Sequence, residues 1–162
     1  MNDFLPEGYE VPSTPSRYMR LQKGENRFRV LSSAITGYIV WLESGGKEIS
    51  KTTITPKPGH KEMPKHFWVF VVWNYATKKV EILEVTQKTI QDQISGLIKN
   101  EDWGSPKEYD LTVIKKGEKL ETKYTVMPSP KKPVDESILE EYMSLSINLP
   151  ALFENEDPFS TN

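Results

Sequence analysis

The chain has 162 residues, 36% of them apolar, with no cysteine and a formal charge of −2. That length predicts one domain with a sizeable core, the absence of thiols excludes disulfides and thiolate-held zinc or iron–sulfur centres, and the longest apolar run, 67–73, is too short to span a bilayer. The small net charge conceals three blocks: residues 17–133 hold all 21 lysines and arginines against 13 acids, a net +8, whereas residues 1–16 carry three acids and residues 134–162 carry seven, with no base in either.

A basic body attracts polyanions, and an acidic end that cannot pack competes with them or recruits a partner. Residues 1–16, MNDFLPEGYEVPSTPS, lack an apolar run, so they are expected to be neither signal peptide nor anchor but a flexible arm. The alternative is an arm that packs Phe4, Leu5 and Tyr9 on the body or a neighbour. The expected setting is soluble and cytosolic.

Residues 26–30 alternate, Phe28 and Val30 one way and Arg27 and Arg29 the other, which predicts a half-buried strand. It is expected to continue to Trp41, bending at Gly37. Residues 44–65 are rich in Gly, Pro, Lys and Thr, with a short strand or hairpin arm within 47–55 and otherwise a long loop of the kind that carries function. HFWVFVVWNY (66–75) is aromatic and β-branched throughout, a strand covered on both faces. A turn at 76–79 returns the chain as a strand over 80–85.

Ile90, Ile94, Leu97 and Ile98 then form one helical stripe, with Thr86 as N-cap and an end near Asn100, before Gly104 and Pro106. Strands are predicted over 109–115 and 121–127, joined by a turn at 116–119. Pro128, Pro130 and Pro133 end the compact part. Val134, Ile138, Leu139, Tyr142, Met143 and Leu145 recur at helical spacing, which predicts a short amphipathic helix, docked or folding with a partner.

Five main strands with one helix between the third and fourth is the order of an OB-fold barrel. Such barrels bind strands of nucleic acid across their second and third strands and the loops after the first and fourth, here the two lysine-rich loops 42–64 and 116–120. The predicted organisation is an arm (1–16), a single-strand-binding OB domain (17–133) and an acidic helix and tail (134–162).

Single-strand binding needs cations for phosphates and flat rings for bases. Arg27, Arg29, Lys51, Lys65 and Lys123 are the predicted phosphate contacts, and Trp41, Trp68, Trp73 and Tyr75 the predicted stacking faces. In 66–75 one set of side chains must be core: His66 and Asn74 favour exposure of theirs, whereas the other set ends with Trp73 and Tyr75 near a turn, where stacking also fits. Glu101, Asp102, Glu108 and Asp110 read as solvated turn residues. His60 and His66 have no metal-ligand spacing, and no Ser-His-Asp arrangement, phosphate-binding glycine loop or HExxH is present, so neither catalysis nor a cofactor is expected.

KGENRFRVL (23–31), HFWVFVVWNYATKKVEILEVTQKTI (66–90), EDWGSPKEYDLTV (101–113) and LPALFENEDPF (149–159) resemble the single-stranded DNA-binding proteins of tailed bacteriophages. The resemblance implies an OB-fold protein that coats single-stranded DNA in phage replication, recombination or repair, in the cytoplasm of the infected bacterial host. It also implies an acidic tail, with Phe153, Glu154, Glu156, Asp157, Pro158 and Phe159 meeting replication or recombination proteins. Bacterial single-stranded DNA-binding proteins end in acids followed by Pro-Phe, whereas here Ser160, Thr161 and Asn162 follow and displace the terminal carboxylate. The rival readings are a single-stranded RNA binder on the same fold, a protein-interaction barrel without nucleic-acid affinity, and a metal-dependent nuclease.

Overall fold

The computed structural model describes residues 4, 6–7, 17–41, 49–52, 65–154 and 156–159, with the side chains of 40–41 and 49–52 left aside. Among the described residues seven strands form one antiparallel sheet: β1 (Gly24–Val30), β2 (Ile35–Trp41), β3 (Ile49–Thr52), β4 (Lys65–Asn74), β5 (Lys79–Val85), β6 (Asp110–Lys116) and β7 (Lys123–Pro128). Helix α1 (Lys88–Lys99) lies between β5 and β6, and α2 (Glu136–Leu145) follows β7. The sheet order is β3-β2-β4-β1-β6-β7, with β5 on the other edge of β4.

β1 and β2 are one strand path interrupted at residues 31–34, because both pair with the same edge of β4. Val30 faces Val72 and Ile35 faces Val69, so β1–β2 uses two more residues than β4 to cross the same span. That excess is a bulge, which bends a strand and raises its twist. Ser32 makes the bulge tolerable: its Oγ accepts the Val71 N–H at 2.8 Å, and the Leu31 N–H donates to Val71 O at 2.8 Å. The bend expected at Gly37 therefore falls at 31–34, while Gly37 sits in regular pairing opposite Phe67.

Two apolar layers sandwich β4. Phe28, Val30, Phe70, Val72, Leu83, Val85, Leu111 and Val113 form one with Ile90 and Ile94 of α1. Phe67, Val69, Val71, Val80 and Ile82 form the other, which Leu149, Leu152 and Phe153 cover from the C-terminal segment. Both faces of β4 are thus covered, as the unbroken apolar run predicts. Asn74, expected outside, is buried: its Nδ2 donates to Glu81 Oε1 at 2.7 Å and its Oδ1 accepts the Ala76 N–H, which closes the β4–β5 turn.

Among the described residues no ladder joins β5 to β7, so the sheet is open there. α1 spans the gap with amide side chains in place of a strand. Gln93 donates to Tyr124 O and accepts the Val126 N–H of β7, and Gln91 donates to Val85 O at the end of β5. The N-cap is Gln87 rather than Thr86, and its side chain makes no capping bond to the helix. The outer edge of β5 is met in parallel by residues 17–19, with Met19 N–H donating to Ile82 O and Ile82 N–H to Arg17 O.

Candidate nucleic-acid interface

The start of β4 and the first turns of α1 form the walls of a groove of about 670 Å³ lined by Lys65, His66, Trp68, Lys88 and Gln91. Gln91 fixes the two walls together, since its Nε2 also reaches His66 O at 3.3 Å while Oε1 lies 3.4 Å from His66 Nδ1. The Tyr38 ring meets His66 edge-on at 5.3 Å between centroids. Lys88 pairs with Asp92 at 2.7 Å on the exposed helix surface, an i,i+4 pair worth about 0.3–0.5 kcal/mol that yields readily to a phosphate. Of the residues predicted from sequence, Lys65 and Trp68 come together here.

The β6–β7 hairpin makes a second cationic feature. Lys116 lies directly opposite Lys123, and Lys115 lies opposite Tyr124 on one side and Gly24 on the other. Like charges facing one another across a ladder destabilise it, so this pairing favours an anion between them. Lys23 is partly offset by Glu118 at 3.4 Å, with both groups exposed. The turn is tight: a Cβ on Gly117 (φ +83°) would overlap Glu121 O. Lys123 is exposed as expected, and α1 joins this hairpin to the groove through Gln93.

Arg27 and Arg29 separate in role. Arg29 is 2% exposed, with Nε and Nη2 donating to Lys107 O, Nη2 to Lys132 O at 2.6 Å and Nη1 to Asp110 Oδ1 at 3.3 Å. Its expected phosphate contact is therefore corrected: the guanidinium faces away from the apolar layer, but residues 107–110 and 132 cover it. Arg27 remains 46% exposed and donates to Asp110 Oδ2 at 2.8 Å. It also lies 5.4 Å from the Tyr75 ring centroid, so one face of that predicted stacking ring is already occupied.

Asp110, expected in solvent, is wholly buried and anchors this cluster. Tyr75 donates to its Oδ1 at 2.9 Å and Lys132 Nζ lies 3.4 Å from Oδ2. Burial would raise its carboxyl, but hydrogen bonds from Arg27, Tyr75 and Arg29 and the Lys132 charge outweigh that and hold it below the ordinary value. Tyr75 is pushed up to about 12, first by burial, then by the hydrogen bond to Asp110 and its charge. The EDWG–P–YD stretch is thus structural: Tyr109 is buried with its OH on Gly104 O, Trp103 stands edge-on to it, and Asp110 neutralises two arginines. An acid opposite Arg29 in the neighbouring strand was the available signal, hidden because that register is not readable from one sequence.

The C-terminal segment packs, contrary to the expectation of an unpacked acidic end. Phe153 meets Phe67 at 6.0 Å between centroids, Pro158 is buried with its carbonyl accepting the Asn148 N–H, and Arg17 lies 4.7 Å above Phe159. Glu154, Glu156 and Asp157 point outward. The apolar residues assigned to partners are therefore held inward on the β4–β5 face, and Trp73 is half-buried beside them. The Trp41 and Lys51 side chains and most of the lysine-rich loop, 53–64, lie outside the described residues.

Among the described residues no cluster of His, Asp and Glu could hold a metal ion, and no helix is long and apolar enough to cross a membrane. No family model, curated protein or solved structure matches this chain.

Proposed function

We propose that the protein binds single-stranded DNA with little sequence preference, in phage replication, recombination or repair, on a sheet that is an OB-type barrel whose closing ladder is replaced by α1. The bent β1–β2 path, the β4–β5 and β6–β7 hairpins and the helix between them support that barrel. The observation that carries the binding reading is a pair of cationic features: Lys65 and Lys88 around Trp68 in the groove, and Lys116 facing Lys123 across the β6–β7 hairpin. A flat ring between cations serves phosphates and bases together and is sequence-tolerant, each stacked base contributing about 1–3 kcal/mol. The role is binding rather than catalysis, and the exposed acids of the C-terminal segment are the surface for replication partners.

Anisotropy titration of labelled oligothymidylate, matched RNA and duplex DNA tests this reading. Tighter binding to the single DNA strand supports it. Equal or tighter RNA binding moves the function to RNA, and no affinity for any of the three returns the chain to a protein-interaction role.

A further inference from the structure

Between the β1–β2 bulge and α1 lies a cavity of about 380 Å³ with apolar walls, Val30, Phe70, Ile94 and Leu111 among them, and Trp68 on one side. Its rim is polar: Ser33, Ser105 and Lys107 stand there with Ala34, and Lys107 Nζ reaches Ser33 Oγ at 2.9 Å across the opening. Trp68 also lines the groove that holds Lys65 and Lys88, so one indole is a wall of both. We infer that this cavity receives one unstacked base of a bound single strand, with its ring against Trp68 and the flanking phosphates on Lys107 at one side and Lys65 and Lys88 at the other. The inference rests on the single-strand reading and adds where a base goes.

Three features favour a nucleobase as the occupant. The volume is within the range of about 300–1,000 Å³ typical of small-molecule sites and leaves room for one heterocycle. The walls are apolar and the rim polar, which suits a ring whose faces are apolar and whose sugar-phosphate stays in solvent. Cations stand on both sides of the indole, as a polyanion entering and leaving the site requires and an uncharged apolar ligand does not. The Ser32 hydroxyl, the polar group nearest the bulge, is already committed to Ser33 O and the Val71 N–H. With the Ser32 hydroxyl so engaged and the inner walls apolar, the pocket should accept different bases.

The test compares the full chain with Ala34→Trp, which fills the opening from an exposed position. A second variant, Ser105→Trp, does so from the opposite side of the rim. Each is titrated with oligothymidylate and with an abasic strand of equal length. The unaltered protein should prefer the base-bearing strand by about tenfold, and the plugged variants should lose most of that preference while keeping their affinity for the abasic strand. Photo-crosslinking with bromouracil should give an adduct on Trp68 that the plugs abolish. An unchanged preference in both variants, or adducts confined to other residues, overturns the pocket while leaving single-strand binding intact. Failure of the unaltered protein to bind either strand overturns the single-strand reading itself.

Discussion

Replacing Leu149 and Leu152 by Asp should release residues 149–159 from the β4–β5 face without unfolding the sheet. Both leucines are buried there, and Phe153 and Phe159 are half-buried beside them. The two leucines contribute about 2 kcal/mol each and the two half-buried rings about 1 kcal/mol each, and three backbone hydrogen bonds among the described residues of 148–158 add about 1 kcal/mol each. Ordering the ten described residues costs about 1 kcal/mol per residue, so the segment is held to within a few kcal/mol of balance. Two buried carboxylates exceed that margin, whereas the layer around Phe28, Phe70 and Leu111 does not depend on the segment. Release also takes Glu154, Glu156 and Asp157 away from the basic body. A few tenths of a kcal/mol for each screened charge make about 1 kcal/mol in all, a five- to tenfold tightening on oligothymidylate at low salt. Trp73 emission should shift to the red while far-ultraviolet circular dichroism stays native. Deleting residues 150–162 should act in the same direction. Global unfolding of the double variant, or weaker binding after release, would show that the segment is neither separable from the sheet nor in competition with the strand.

Asp110→Asn removes the carboxylate that neutralises the buried Arg29 and should cost about 3–5 kcal/mol, read as a lower urea midpoint with an unchanged slope. Because the Asp110 carboxyl is held below its unfolded value of about 3.9, its contribution is complete above that pH and is lost as pH falls through the folded value. Acid titration of the unaltered protein should therefore lose stability below about pH 4, and that part of the loss should be missing in Asp110→Asn. Tyr75 has the opposite sign: its raised value, about 12, makes the neutral phenol a stabilising form that is lost above pH ~10, visible as a delayed phenolate absorbance. Gly117→Ala places a Cβ against Glu121 O at a positive φ and should cost about 1–3 kcal/mol, seen in the melting temperature.

The element order was legible because its signals are local. Alternation at 26–30, the unbroken run 66–75 and the stripe Ile90–Ile94–Leu97 each carry their own period. What stayed hidden depends on contacts distant in sequence. The pairing of Arg29 with Asp110 spans 81 residues, and nothing near Arg29 marks it as buried. Gly37 looked like the bend because glycine is the usual signal, but Ser32 makes the bulge by satisfying a backbone N–H with its hydroxyl. Thr86 has the better capping chemistry, yet the helix begins one residue later than that cap requires. Acids in 154–157 read as a solvated tail, and only the sheet shows that Leu149, Leu152 and Phe153 have a surface to cover. For the site, Lys65 and Trp68 were readable as a cation and ring on one strand, whereas Lys88 joins them because Gln91 and the packing of Ile90 and Ile94 hold α1 against β4.

Single-strand binding along the β6–β7 hairpin lysines is measured by the salt dependence of oligothymidylate affinity, compared between the unaltered chain and Lys116→Ala/Lys123→Ala. Each phosphate neutralised contributes about −0.7 to the slope of log K against log salt. A steep slope in the unaltered chain, shallower by about 1.4 in the double variant, is the predicted result. A flat dependence, or a slope the variant leaves unchanged, contradicts the binding of a single strand along these lysines.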